Sequence, residues 1–424
     1  FEDLTSLIET HAPNVQAMFE AKPETKALAT QVDGKIYGLP KYQRFWPETT
    51  TRQFINQEWL DRLGLETPTT WDELYTVLKA FKEQDANGNG DPNDEIPMDF
   101  APTGKTGFGA FMPIVLLGSQ GITLTDNGGM GYFMEDGQVK NFFVDERYKE
   151  LVQFLHKLYS EGLISPEVFT QDYTKYQSVA RGSGDTAKVG YTFGWEVSDR
   201  FGNAVSPQYT SLAPLKVSSD STTPMSWSYD YNSLNYGVNT VQMSATSPSK
   251  EAAMRFINEL YDPKVSMQVL FGSLGTNIKD NGDGSYTVLP PEDTAMDPGT
   301  WKWTSTWADN GPMYIADELK LTLGTDMQSV GKQTEPLKPA LDAIDLDNDV
   351  MPGVFLKYAP QDNSMMALNN TSFISMAIAK WSEWITKGGV EEQWDAYVAD
   401  AQRTGLVANL EIMQRYYDEY KSKQ

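Results

Sequence analysis

From Thr70 onward the apolar positions Leu74, Val77, Leu78 and Phe81 recur at helical spacing and fall on one face. Thr70 and Glu73 form a T-x-x-E pair, which satisfies free backbone donors where such a helix starts. A second helix follows Ser247–Pro248, with Ala253, Phe256, Ile257 and Leu260 as its apolar stripe; Pro248 suits a first turn, which has no donor to lose. A third covers Glu146 to Glu161 and ends at Gly162. The C-terminal part reads as helices over Ile374–Lys387, Val390–Arg403 and Val407–Tyr420, with Gly388–Gly389 and Gly405 as stops. Strand patterns are short: Lys35–Leu39, Lys188–Phe193, Tyr236–Val241, and a hairpin in IKDNGDGSYTV around Asp280–Asn281–Gly282. Helical and strand-like stretches alternate throughout, which predicts an α/β fold.

With 424 residues the chain can bury more than one core, so two or three domains are expected. Its hydrophobic fraction of 40% and aromatic fraction of 12% belong to a folded globule. No run approaches the roughly 18 apolar residues of a membrane span. The formal net charge of −24 repels nucleic acid and anionic lipid, which excludes both as main partners. With no cysteine, disulfides, thiol catalysis and thiolate metal sites are excluded. The two histidines, His11 and His156, lack the constellation of a triad or a zinc site. No G-x-S-x-G elbow, H-E-x-x-H motif or phosphate-cradling glycine loop is present. A non-enzyme is the reading these absences favour. The chain opens without a start methionine or signal peptide, so targeting information is expected upstream.

Two patterns carry chemistry. In DANGNGDPNDEI, Asp85, Asn87 and Asn89 place oxygens at alternate positions and Gly90 permits a sharp turn. Asp91 offers its backbone carbonyl, and Asp94 and Glu95 close the loop with carboxylates. Ca²⁺ takes six to eight oxygens, so a structural Ca²⁺ is expected here. The closing glutamate comes one residue earlier than in an EF-hand loop. The other pattern is aromatic residues in loop-like sequence beside polar groups: Tyr42, Arg44, Phe45 and Trp46; Trp195 and Glu196 in FGWE; Trp227 and Asp230 in WSYDY; and Trp303 in WKWTSTW, 301–307. Aromatic faces stack on the C–H faces of sugar rings while neighbouring carboxylates, amides and guanidinium groups bond the hydroxyls. Paired carboxylates of a glycosidase remain an alternative, since Asp and Glu are abundant.

Taken in order, several segments resemble the extracellular solute-binding proteins of bacterial ABC sugar importers, most closely the large lipoprotein branch that includes alginate-binding proteins. They are DLTSLIETHAPN (3–14), DGKIYGLP (33–40), INQEWLDRLGLETPTTWDEL (55–74), DANGNGDPNDEIP (85–97), KLYSEGLISPEVF (157–169), KEAAMRFINELYDPKVS (250–266) and WITKGGVEEQWDAYV (384–398). The resemblance implies a two-lobed periplasmic-binding-protein-like α/β fold, whose hinge strands cross between lobes and whose cleft closes on ligand. The crossings would lie near Leu39–Phe54, near Tyr236–Val241 and within 315–335. Lobe one would hold 1–50 and 237–320; lobe two would hold 55–235 and 330–424, with the calcium loop away from the cleft. Trp195 matches a position where sugar-binding relatives place a stacking aromatic, and the residues after YGLP line the cleft in relatives.

The resemblance implies an oligosaccharide ligand, delivery to ABC permease subunits, and a monomer outside the cytoplasmic membrane or in the periplasm, with membrane contact only through a lipid anchor. Two departures stand out. Relatives begin with a lipid-bearing cysteine and further strand–helix–strand units before DLTSLIE. The calcium loop also carries one extra residue between Asp91 and Glu95, leaving Asn93 and Asp94 as alternative ligands. A secreted carbohydrate-active enzyme and a binder of a non-sugar solute are the rival functions.

Overall fold

The computed structural model describes all residues except 103–107, 126–128, 294–295, 297 and 424. Its strands are β1 (Gly38–Tyr42), β2 (Arg52–Asn56), β3 (Ile96–Met98), β4 (Tyr132–Glu135), β5 (Gln138–Asn141), β6 (Val189–Gly194), β7 (Tyr209–Ser211), β8 (Tyr236–Gln242), β9 (Ile278–Asp280), β10 (Ser285–Val288) and β11 (Lys320–Thr322). The largest sheet has the order β3-β6-β2-β7, with β2 antiparallel to both neighbours and β3 parallel to β6. β1 pairs with β8, β4 with β5, and β9 and β10 form the predicted hairpin, extended by β11.

The Trp71–Glu83 helix starts where the capping pattern predicts. The Thr70 hydroxyl accepts from the Glu73 amide at 3.1 Å. The reciprocal bond is displaced by one residue: the Glu73 carboxylate accepts from the amide and hydroxyl of Thr69, each at 2.7 Å. Leu74, Val77, Leu78 and Phe81 are buried, as their spacing requires. The Glu146–Ser160 and Val390–Arg403 helices also match the sequence pattern.

Four expectations are corrected. The helix after Ser247–Pro248 spans Lys250–Leu260, so Pro248 precedes the first turn instead of sitting in it. Met254 rather than Phe256 completes its buried stripe, and Phe256 is 63% exposed. The predicted Ile374–Lys387 helix is the second half of a 28-residue helix, Pro360–Lys387. Its first half is rich in Asn, Ser and Thr, so it shows no apolar period. It is held by tertiary bonds instead: the buried Asn409 side chain bonds Asn369, Asn370 and the Met366 carbonyl. Finally, part of WKWTSTW is not a loop but the Pro298–Ser305 helix.

Two main hydrophobic cores form. The larger gathers Phe54, Trp59, Phe81, Tyr191, Phe193 and Trp227 with Phe373, Trp381, Trp384 and Trp394 of the C-terminal helices. The smaller gathers Leu4, Val15, Met18 and Leu39 with Met254, Leu270, Ile278 and Met313. The chain leaves β1, whose Leu39 belongs to the smaller core, and enters β2, whose Phe54 belongs to the larger. Residues 43–51 therefore link two separately packed bodies.

Candidate functional site

A cavity of about 650 Å³ lies where these bodies meet. Lys41, the Gly237–Thr240 stretch, Thr300, Trp303 and Asp309 line it, facing Phe108, Trp195, Glu196 and Asp199. Trp46, in the connecting segment, completes the wall.

The β1–β8 pair opens toward this cavity because its register slips. Leu39 pairs with Val241, but Lys41 pairs with Gly237, so three residues of β8 oppose Pro40 alone. Pro40 has no N–H for the ladder, and the extra residues bulge away from it. Asn239 in the bulge takes the left-handed conformation, φ 53°, which Asn tolerates better than most residues. Gly38 is required beneath it: a Cβ there would sit 2.4 Å from the Asn239 side-chain oxygen.

The aromatic wall is held from behind. The rings of Trp46 and Trp195 meet at a centroid distance of 5.0 Å and 61°, and Phe108 packs edge-on to Trp195 at 5.5 Å. Trp46 donates its indole N–H to the Asp309 carboxylate at 2.8 Å, while the Lys302 ammonium lies 4.7 Å from its ring centre. Gln43 donates to the same carboxylate at 3.0 Å, and the buried Lys41 donates to the Asp309 carbonyl at 2.5 Å. Burial pushes the Lys41 ammonium below its ordinary pKa.

Beneath Trp195 lies the fully buried Arg52, its guanidinium 4.9 Å from the ring centre. It donates to the Trp195 carbonyl at 2.8 Å, to the Thr334 hydroxyl at 2.6 Å and to the Thr49 carbonyl at 3.3 Å. The next residue, Glu196, caps the Val197–Val205 helical segment by accepting from the amides of Ser198 and Asp199 at 2.7 and 3.1 Å. Its other oxygen accepts from Ser329 at 2.6 Å and Gln333 at 2.9 Å. Glu196 lines the cavity, but its carboxylate is committed to holding the wall.

Of the eight residues expected to bind ligand, Trp46, Trp195, Glu196 and Trp303 line the cavity. The other four do not. Trp227 is 0% exposed and donates to the Thr51 carbonyl at 2.7 Å, so both ring faces are covered by core. Asp230 is buried and accepts from the amide and hydroxyl of Thr50 at 2.9 and 2.8 Å, fastening the connecting segment. Tyr42 is buried and bonded to Asp317 at 2.5 Å and Lys22 at 3.0 Å. Arg44 points to the surface and donates to the Leu319 carbonyl at 2.6 Å. Lys41, Phe108, Asn239 and Asp309 were not anticipated. Their place depends on the β1–β8 slip and on contacts more than 200 residues apart, as in Lys41 with Asp309.

The 85–95 loop folds inward on its own oxygens. Asp85 accepts from the Gly90 amide, Asn87 from the Asn89 amide, and Asn89 from the Asp91 amide, all at 2.8–2.9 Å. The Asp94 carboxylate faces Asn87 and Asn89, accepting from their amide groups at 2.8 and 2.9 Å. Asn93 instead turns back to Asp91. One carboxylate oxygen each of Asp85 and Glu95 is buried without a hydrogen-bond partner, and burial pushes the Glu95 carboxyl above its usual range. Buried carboxylate oxygens left unpaired are costly, and a hard cation would satisfy them. Among the described residues no three His, Cys, Asp or Glu side chains already converge on one point. The amide oxygens of Asn87 and Asn89 would therefore have to belong to the donor set.

Comparison with known proteins agrees with this layout. Residues 1–267 match the model of the family described as bacterial extracellular solute-binding proteins. An ABC-transporter-associated solute-binding protein from Bifidobacterium longum infantis, described as HMO binding, superposes with a TM-score of 0.89 at 32% identity, covering 99% of this chain and 84% of that one. The Streptococcus pneumoniae fructooligosaccharide ABC transporter substrate-binding protein FusA is 27% identical over 98% of this chain and 75% of its own length. Its structure with kestose superposes with a TM-score of 0.85, and an EF-hand mutant of it has also been solved. The alginate-binding protein AlgQ2, at 19% identity and a TM-score of 0.68, shares the fold. Among the described residues no helix is long and apolar enough to cross a membrane. The two bodies agree with the two-lobed fold of the solute-binding proteins that this chain superposes on, and this chain belongs to the bacterial extracellular solute-binding proteins.

Proposed function

We propose that this chain captures an oligosaccharide in the cleft, without chemical turnover, and delivers it to the permease subunits of an ABC importer. The observation that carries the reading is the aromatic wall of Trp46, Trp195 and Phe108, in a cavity also lined by Trp303 and by hydrogen-bonding side chains. Indole and phenyl faces match the C–H faces of pyranose and furanose rings, and the polar groups match their hydroxyls. Relatives named for fructooligosaccharide and HMO binding support the ligand class. The proposed lobes follow the two cores: 1–50 with 237–320, and 55–235 with 330–424. We propose that the protein acts outside the cytoplasmic membrane, as a lipid-anchored monomer.

Isothermal titration against a panel of kestose, nystose and milk-type oligosaccharides tests this. Saturable binding with unchanged glycan recovered afterwards is expected. Binding of peptides but of no glycan would overturn the sugar, and release of shorter glycans would overturn the non-catalytic reading. Trp195→Ala removes the best-supported stacking face. A central aromatic truncation costs about 2 kcal/mol or more, so affinity should fall at least ~30-fold.

The same reading includes a structural Ca²⁺ in the 85–95 loop, held by Asp85, Asn87, Asn89, the Asp91 carbonyl, Asp94 and Glu95. Of the two alternatives, Asp94 is favoured over Asn93 because its carboxylate faces Asn87 and Asn89. A cation that binds only the folded loop stabilises by mass action, about 4 kcal/mol at a thousandfold excess over Kd. EDTA should lower the thermal midpoint, calcium should restore it, and Asp85→Asn should abolish the difference. A midpoint indifferent to EDTA would dismiss the ion.

A further inference from the structure

We infer that the sugar-binding surface does not stop at the cleft but runs out over a second aromatic platform formed by Trp307 and Phe256, which takes the outer residues of longer oligosaccharides. This rests on the oligosaccharide reading of the cleft and extends it to ligand length.

A shallow groove of about 360 Å³ lies on the smaller body, with Trp307 and Phe256 among its walls. Thr240 and Asn310 line both this groove and the cleft, so the two surfaces are continuous. Trp307 is 54% exposed and Phe256 63% exposed, and both line this one groove. The Lys250–Leu260 helix already buries Met254, Ile257 and Leu260, and Phe256 lies off that stripe.

Trp307 is also built into position. It follows the Pro298–Ser305 helix in a tight turn in which the Asn310 amide bonds the Trp307 carbonyl at 3.2 Å. Ala308 in that turn takes φ 47°, a left-handed conformation that costs a non-glycine residue about 1 kcal/mol. Its amide is tied to the Thr306 hydroxyl at 2.7 Å. Beneath the indole is Gly311: a Cβ there would stand 3.1 Å from two Trp307 carbons and 2.3 Å from Val269. The missing side chain lets the ring lie against the backbone while the rest of it faces solvent. A strained turn and a glycine bed that hold one exposed indole beside a cleft are the arrangement expected of a stacking subsite. The occupant is fixed by continuity: a chain in the cleft that passes Thr240 and Asn310 meets Trp307 next.

Titration of the full chain with inulin-type fructo-oligosaccharides and with linear β-linked milk-type oligosaccharides, each from two to about seven residues, tests this. Affinity should rise with length beyond the shortest binder. Trp307→Ala should remove that rise, roughly tenfold for the longest members, and leave the shortest binder within about twofold of wild type. Trp307→Phe should keep most of it, and Phe256→Ala should lose a smaller part. Length-dependent affinity that Trp307→Ala leaves intact, or affinity that does not depend on length, overturns the platform while the cleft assignment stands. Transport lost in Trp307→Ala with binding unchanged overturns it too, in favour of a permease contact. If neither series binds at any length, the oligosaccharide reading fails first and the platform with it.

Discussion

Replacing Arg52 with methionine should cost about 3–5 kcal/mol of folding stability, among the largest effects of any single change in this protein. Arg52 is 0% exposed. Its guanidinium donates to three acceptors: the carbonyls of Trp195 and Thr49 and the hydroxyl of Thr334. Those acceptors belong to the end of β6, the segment linking the two bodies, and the Thr325–Thr334 helix. Methionine fills similar volume but leaves buried oxygens unpaired, each worth about 1–3 kcal/mol. Burial pushes the guanidinium down to about 9, still above neutral pH, so the side chain stays charged there and the loss should be constant between about pH 6 and 8. Urea unfolding followed by tryptophan fluorescence measures it. Affinity should fall as well, because the same bonds fix the backbone that carries Trp195. A loss below about 1 kcal/mol would mean that water or side-chain rearrangement replaces the guanidinium, and would remove Arg52 as the support of the wall.

Asp99→Ala should be comparably damaging, about 3–5 kcal/mol, because it strands a buried cation. Asp99 and Arg200 are each 1% exposed by side chain and meet at 3.1 Å. Arg200 also donates to the Tyr176 carbonyl at 2.5 Å and the Thr192 hydroxyl at 3.2 Å, with its guanidinium 3.5 Å from the Tyr176 ring centre. It sits one turn into the helical segment that Glu196 caps, and a Cβ at Gly194 would stand 3.3 Å from it. The pair thus pins that segment onto β6 just behind Trp195. Removing only the carboxylate leaves a desolvated charge. Removing both charges does not, so Asp99→Leu with Arg200→Met should recover most of the stability. A double variant no more stable than Asp99→Ala would show that the hydrogen bonds, and not the charge balance, carry the effect.

The inward turn of the 85–95 loop was legible because its information is local. Asp85, Asn87, Asn89 and Gly90 follow each other closely enough for spacing alone to specify an inward-turned loop, and their oxygens do turn inward. Even here spacing left Asn93 and Asp94 equivalent. Only the folded loop distinguishes them, since Asp94 meets Asn87 and Asn89 while Asn93 does not. The cleft was less legible. WSYDY and FGWE look alike as sequence, each an aromatic beside an acid, yet Trp227 lies in a core and Trp195 on a cavity wall.

By itself the sequence determined what short-range physics controls. The helix start at Thr70 and the stop at Gly388 follow from a side-chain oxygen reaching a nearby amide and from glycine's freedom at positive φ. The hairpin around Asn281 and the α/β class belong to the same level. Tertiary structure alone decided which tryptophans line the cavity, how far the Pro360–Lys387 helix extends, and that β8 bulges opposite Pro40. The reason in each case is that burial belongs to a pair of surfaces. Whether an indole lies in a core or on a surface depends on what packs against it from far along the chain, as Thr51 does for Trp227.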